Sequence, residues 1–236
     1  MSQDTSDTLV QTHGVTRVYK QGSIDVHALR GVDVQIGKGE FTALVGPSGS
    51  GKSTLLNLIG CLDKPTSGHV TVAGTDVTHL KRAAGANFRL AHVGFVFQAY
   101  NLLPVLSVLE NSEYTLMLQG VKKAERRARV MPLLERVGLA DMVHRRPHEL
   151  SGGQQQRVAV VRAIASRPDL VLADEPTANL DTATSVGLLT LMQELNEEFG
   201  LTFVLASHDE TVVDRARRVI HLKDGLIDQD EHRQAA

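Results

Sequence analysis

Gly46-Pro47-Ser48-Gly49-Ser50-Gly51-Lys52-Ser53 packs three glycines, a lysine and hydroxyls into one short run. Glycine lets a backbone wrap closely around an anion, because side chains would block the N–H groups that must face it. The run fits G-x-x-x-x-G-K-[ST] and lies between an apolar stretch and a helical pattern, the context in which that spacing binds phosphate. The helix start adds unpaired N–H donors and a positive dipole end. Lys52 is placed to neutralise β- and γ-phosphates, and the Ser53 hydroxyl to ligate Mg²⁺. The chemistry implied is nucleoside triphosphate binding.

Leu170-Val171-Leu172-Ala173-Asp174-Glu175-Pro176 is an apolar run ending in paired acids. Successive strand residues face opposite ways, so Asp174 and Glu175 should do different jobs. One carboxylate can hold the metal shell while the other polarises an attacking water. Upstream, Leu150-Ser151-Gly152-Gly153-Gln154-Gln155-Gln156-Arg157 gives Ser151 and Gln154 the spacing of a capping box. That helix start is a second candidate for holding phosphate.

Certain elements must position these residues. Val15–Tyr19 and Val32–Ile36 are short β-rich runs, and 41–45 is a buried strand leading into the glycine loop. A helix is expected from Ser53 to Ile59, a turn at 65–68, and strands at His69–Val72 and Val93–Phe97, the last ending at Gln98. From Val108 to Gly138 the pattern is helical, with Gly120 and Gly138 as stops. A helix from Ser151 to about Ser166 precedes the strand 170–173, and one from about Thr182 to Phe199 precedes the strand Thr202–Ala206. Arg218–Leu222 and Leu226–Asp228 close the sheet. The expected fold is α/β, with a mainly parallel sheet covered on both faces. The core is assigned to about 9–98 and 166–228, a helical insertion to about 99–165, and polar termini to 1–8 and 229–236.

Composition excludes other classes. The chain has 236 residues, 42% hydrophobic and 22% charged, with a formal net charge of −2. That is an ordinary globular balance, and no apolar run reaches the roughly 18 residues of a membrane span. The polar, acidic 1–7 segment is unlike a signal peptide, and a single cysteine, Cys61, suits a reducing compartment. The expected location is cytoplasmic. The near-zero charge gives no support for nucleic-acid binding by bulk charge. Charge is uneven, however: 121–147 carries eight basic residues against three acids, while 174–214 carries nine acids and no Lys or Arg. The basic stretch reads as a solvated helix face, with a partner or lipid surface as the sharper alternative.

The phosphate loop, the Ser151–Gln154 signature and the Asp174-Glu175 pair, in that order, resemble the nucleotide-binding domain of ABC (ATP-binding cassette) ATPases. The resemblance runs from about Leu9 to Asp228. It implies a P-loop NTPase core with an N-terminal antiparallel β subdomain and an inserted α-helical subdomain. It implies ATP and Mg²⁺ as ligands, with Gly46, Pro47, Ser48, Gly49, Ser50, Gly51, Lys52, Ser53 and Thr54 around the phosphates. Ser53, Gln98 and Asp174 would serve the metal, Glu175 would be the general base, and His208 would contact the γ-phosphate. Tyr19 is similar to the aromatic residue that stacks on adenine, and Asp181 to an aspartate at the dimer interface. His208 is placed after a strand, beside a Ser207/Glu210 capping-box spacing. In the family two copies join head to tail, so that Ser151, Gly152, Gly153 and Gln154 of one cover the ATP of the other.

The segments 60–68, 94–104 and Leu109-Glu110-Asn111 are similar to the lipoprotein-releasing, macrolide-exporting and division-associated group of these ATPases. That implies an integral membrane permease as partner, and membrane contact only through it, at the cytoplasmic face. Two readings stay open: the energy subunit of a transporter or extractor, and a regulatory ATPase transmitting force to cell-wall or division machinery. A soluble DNA-repair or translation ATPase is disfavoured, because no sustained heptads separate Lys52 from Asp174. Ala99–Leu106 is unusually apolar for a connection, and the resemblance places a permease-docking groove there, with Leu102 and Leu106 as its expected contacts. Ala178 and Ser207 depart from the family's commoner Gly and Thr, and neither is expected to touch a ligand residue.

Overall fold

The computed structural model describes residues 7–233. Two sheets organise it. The first is antiparallel, in the order β2-β1-β4-β5, from β1 (Thr8–Gln21), β2 (Ile24–Gly37), β4 (Ser67–Val72) and β5 (Thr75–Asp76). The second runs β10-β9-β3-β8-β7-β6, from β3 (Phe41–Val45), β6 (Val93–Phe97), β7 (Leu170–Asp174), β8 (Thr202–Ser207), β9 (Arg218–Lys223) and β10 (Leu226–His232). Every pairing in it is parallel except the edge strand β10 on β9.

The central strands read as apolar runs because both of their faces are buried, and their side chains alternate between two cores. Leu44, Leu172, Val204 and Ala206 meet α1 (Lys52–Ile59) and the inner face of the antiparallel sheet, including Val15, Leu29 and Val32. Phe41, Ala43, Val171, Ala173, Phe203 and Leu205 point the other way. They meet α5 (Gly152–Ile164), α6 (Thr182–Phe199) and the helical segment carrying α3 (Val108–Leu118) and α4 (Lys123–Arg136). α6 has the bounds its apolar spacing predicts. α2 (Arg82–His92) and the short α7 (Glu210–Arg215) were not expected. α2 begins without a side-chain cap, includes Gly85 and Asn87, and exposes mostly alanines with Arg82 and Asn87, so the apolar side chain it buries is Phe88.

Three expectations need adjusting. β1 and β2 are far longer than the runs read from the sequence, because they pair with each other from Thr8↔Gly37 to Gln21↔Ile24. Residues 229–232, grouped with a polar terminus, belong to β10. Residues 1–6 and 234–236 of the assigned termini lie outside the described residues. The basic stretch is partly answered within the chain, since Arg126 pairs with Glu113, and Arg136 with Glu194 and Glu198 of the acidic stretch. That weakens the reading of a free basic surface.

β10 is a polar strand, and one ion cluster ties it in. Arg218 is buried and pairs with Asp230 at 2.7 Å and with Glu40 at 3.0 Å, and its Nη1 donates to the Gln35 carbonyl at 2.6 Å. The Arg218 hydrogen bond holds the Asp230 carboxyl below its ordinary value. A carboxylate lowered in the folded state adds stability above its unfolded pKa and loses it as pH falls through the folded one. Asp230→Asn should therefore lower stability at neutral pH by about 1.5 kcal/mol, modest because Asp230 is part-exposed. The difference from wild type should begin to shrink below about pH 4, the unfolded carboxyl value, and keep shrinking as pH falls toward the lowered folded value. Urea titrations of both chains across pH 3–7 measure it.

Candidate functional site

Four parallel strands end level. The register sets Val45 beside Ser207, Ala206 beside Asp174, and Asp174 beside Phe97. The residues that follow each strand therefore meet at one carboxyl edge, where open α/β sheets place their ligands. β3 delivers the glycine loop, β6 Gln98, β7 Asp174 and Glu175, and β8 Ser207 and His208.

The loop turns sharply at glycines with positive φ: Gly46 at 151°, Gly49 at 81° and Gly51 at 106°. A Cβ on Gly46 would lie 2.1 Å from the Leu222 carbonyl oxygen, whereas one on Gly49 would meet nothing within 4 Å. Lys52 is buried at the first turn of α1 and donates Nζ to the carbonyls of Gly46 at 2.7 Å and Pro47 at 3.2 Å. An ammonium has three donors, so one remains for an anion. Among the described residues Lys52 makes no ion pair. Among the described residues the Ser50 hydroxyl, buried in the same loop, has no hydrogen-bond partner.

Ser53 Oγ donates to Asp174 Oδ1 at 2.9 Å. Burial raises the Asp174 carboxyl, Ser53 opposes that, the Glu175 charge adds to it, and Lys52 opposes it. Glu175 takes the left-handed backbone conformation at φ 48°, unusual for a residue with a side chain, and its amide bonds the Ala206 carbonyl at 2.9 Å. Its carboxylate is held from two sides: Ser207 Oγ donates to Oε2 at 3.1 Å, and His208 Nδ1 lies 2.8 Å from Oε1. Asp174 and Glu175 thus face different partners, but Glu175 lies just past the end of β7, so its left-handed backbone rather than strand alternation sets its direction.

A cleft of about 750 Å³ joins Tyr19, the loop from Pro47 to Thr54, Gln98, Glu175, Ala178 and His208. Gly46 and Asp174 sit behind this lining, holding Lys52 and Ser53. Val26, His27 and Ala28 complete the wall. Sequence reading missed these three, and only the pairing of β2 with β1, Val26 opposite Tyr19, brings them in. A second cavity, about 550 Å³ between α4 and the start of β8, holds none of this chemistry.

Ser151, Gly152, Gly153, Gln154 and Asp181 are not in the cleft. The capping box at Ser151 is formed: Ser151 Oγ accepts from the Gln154 amide at 3.3 Å, and Gln154 Oε1 from the Ser151 amide at 2.9 Å. Asp181 caps α6, accepting from the Thr184 amide at 3.0 Å and hydroxyl at 2.6 Å, which lowers its carboxyl. α5 nonetheless reaches back to the cleft. Gln156 Nε2 donates to the carbonyls of Pro176 and Phe97, at 2.7 and 3.4 Å, on either side of the carboxyl edge. Arg162 donates to the carbonyls of Tyr100 and Asn101, at 2.9 and 2.5 Å. Those two residues have positive φ and carry the chain away from Gln98.

Two expectations are corrected here. The Ser207/Glu210 capping box does not form; Asp209 caps α7 through the Thr211 amide at 2.9 Å. Ser207, expected to touch no ligand residue, holds Glu175, because its hydroxyl is needed there rather than at the helix start. Ala178 also lines the cleft.

The pattern of the family described as "ABC transporter" matches residues 29–178. The lipoprotein-releasing system ATP-binding protein LolD of Anaeromyxobacter dehalogenans is 48% identical over 96% of this chain and 95% of its own length. The macrolide export ATP-binding/permease protein MacB of Syntrophobacter fumaroxidans is 46% identical over 93% of this chain but only 31% of its own. Among solved structures, the dimeric post-hydrolysis state of the ATP-binding cassette MJ0796, bound to ADP and Pi, matches with TM-score 0.89 and 42% identity. That match covers 97% of this chain and 100% of the other.

The loop glycines differ in what they tolerate. Gly49→Ala should cost only the strain of a positive φ, about 1–2 kcal/mol. Gly46→Ala should cost clearly more, because the Leu222 carbonyl on β9 would have to move. Thermal melts of the two variants side by side give the ranking, and an equal loss in both would show that backbone strain alone decides.

Proposed function

The chain belongs to the ABC transporter family, and from that premise we propose how its residues carry the family's work. It is an ATP-hydrolysing subunit of an ABC transporter that works as a dimer. The observation that carries the residue-level reading is the level ending of four strands. It gathers the Lys52 loop, Asp174, Glu175, Gln98 and His208 while leaving the Ser151 helix start outside. One chain is half a site.

In this reading the loop amides and Lys52 hold the β- and γ-phosphates of ATP, and Tyr19 carries the adenine. The donors beside them are a hydroxyl, a carboxylate and an amide oxygen, all hard ligands suited to Mg²⁺. That ion takes few protein ligands beside substrate phosphates, so Ser53, Asp174 and Gln98 suffice to hold it. When bound, it neutralises charge on the phosphate oxygens. Glu175 accepts the proton of the attacking water, and Ser207 and His208 orient its carboxylate. His208 also serves the γ-phosphate. The second copy brings Ser151–Gln154, whose helix start supplies N–H donors and a positive dipole end from the far side. Asp181 stiffens the start of α6 at that joint.

A composite site explains how hydrolysis is coupled. Arg162 and Gln156 fasten α5, which begins at Ser151, to the backbone around Gln98. A shift of α5 toward the partner's nucleotide is therefore felt in the loop that follows Gln98. That loop is the proposed permease contact. Leu102, one of its expected contacts, packs against the core, and Leu106 is partly buried, so Val105, at 73% exposed, replaces them. Among the described residues no helix is long and apolar enough to cross a membrane. Attachment to the cytoplasmic face of the membrane runs through the permease in this reading, and no nucleic acid takes part.

Mixing tests the shared site. Lys52→Ala and Ser151→Arg chains should each be nearly inactive alone, yet a mixed dimer holds one whole site. ATPase activity should reappear in an equimolar mixture, at most at about a quarter of wild type, since half of random two-fold dimers are mixed. A mixture as inactive as its parents, with mixed dimers present, would exclude the head-to-tail site. Val105→Glu should reduce permease recovered with the chain from mild detergent at least several-fold, because an unpaired carboxylate is costly at an apolar contact. ATPase of the isolated chain should be unchanged; undiminished permease recovery would place docking elsewhere.

A further inference from the structure

Tyr19 is held by two residues that the nucleotide motifs do not include. Its phenol donates to Asp63 Oδ2 at 2.8 Å, and Arg17 Nη2 pairs with Asp63 Oδ1 at 2.8 Å. The Arg17 guanidinium carbon lies 4.4 Å from the centroid of the Tyr19 ring. Arg17 and Tyr19 are two apart on β1 and so share a strand face. Asp63 sits on the turn that ends α1, its amide bonded to the Asn57 carbonyl at 3.2 Å and its Oδ1 also accepting from the Lys64 amide at 2.8 Å. Both partners are largely buried, with side chains 22% and 27% exposed, so the pair is less screened than a surface ion pair.

This arrangement does three things to the ring. Its hydroxyl edge is tied, one face carries a cation, and the ring still lines the cleft beside Val26 and His27. A cation on one face of an aromatic ring draws electron density toward itself, which leaves the opposite face better suited to an electron-rich base. α1 begins at Lys52 in the phosphate loop and ends beside Asp63. One rigid helix therefore spaces the base platform from the phosphate cradle.

We propose that Arg17 and Asp63 are positioning residues for base recognition: the Arg17–Asp63 pair sets and polarises the Tyr19 ring from behind, and so governs affinity for the nucleoside part of the substrate. The inference rests on the reading of Tyr19 as the base platform. It makes the pair a determinant of nucleotide affinity over bare triphosphate, with no part in the hydrolytic step.

Steady-state ATPase kinetics of the full chain test this, with inorganic tripolyphosphate as a competitive inhibitor that has no base. Arg17→Ala should raise KM for ATP about 3- to 10-fold, the range of a cation–π contact, with kcat within about twofold. Tyr19→Phe, which keeps the ring and loses the Asp63 bond, should raise KM less. Arg17→Lys should restore most of the affinity, and tripolyphosphate inhibition should be the same in all of these chains. If Tyr19→Ala raises KM while Arg17→Ala and Tyr19→Phe do not, the positioning role is wrong and the platform stands. If Tyr19→Ala also leaves KM unchanged, the platform reading fails and takes the inference with it. Weaker tripolyphosphate inhibition in Arg17→Ala would mean that the pair merely supports α1, which also overturns the proposal.

Discussion

The level ending of four parallel strands is the constraint from which the rest of this structure follows. Parallel pairing in register puts Val45, Phe97, Asp174 and Ser207 at one edge, and each strand hands its next residue to the same space. No loop has to reach far, so a buried lysine, two carboxylates and a histidine are placed by rigid backbone rather than by flexible connections. A slip of one residue in any of these pairings would turn the strand's side chains to the opposite core and withdraw its contribution. The alternation between the two cores is what forbids that slip, since Leu44, Leu172 and Val204 cannot trade places with Ala43, Ala173 and Leu205.

That edge concentrates charge where the chain itself has few counter-charges. Lys52 folds back on carbonyls of its own loop, while Asp174 is pushed up by burial and by its neighbour Glu175. A site of this kind is arranged for a charged ligand rather than for its own stability. Glu175 shows the same priority: its backbone takes a disfavoured conformation, and Ser207 and His208 hold its carboxylate in place. Strain of this kind persists only where the surroundings over-determine it.

In the proposed reading the same edge leaves one copy incomplete. The Ser151 helix start is capped and well formed, yet it lies away from the cleft, and its connection to the cleft runs through carbonyl contacts of Gln156 and Arg162. Arg162, whose guanidinium burial lowers from its ordinary value, spends its donors on the Tyr100 and Asn101 carbonyls. A capped helix is thus tied firmly to the loop after Gln98, which is the element that the proposed dimer closure and permease contact would share.

The glycine loop, the apolar strands, the bounds of α6 and the capping box at Ser151 are all legible in the sequence, because each depends on residues within a few positions of one another. Turn chemistry, capping and alternation are local rules, and here they agree with the fold. Tertiary structure decided what depends on partners remote along the chain. Alternation could not show that β1 and β2 extend by pairing with each other, nor that α2 forms to bury Phe88. Ser207 has the spacing of a cap, but the register of β8 beside β7 turns its hydroxyl to Glu175. Leu102 and Val105 are equally apolar on paper, and only packing sends one inward and leaves the other exposed. Arg17, Tyr19 and Asp63 become one unit because β1 lies against the turn that follows α1. Local rules settle how a segment folds, while the ligand-facing role of a side chain is settled by which distant backbone lies opposite it.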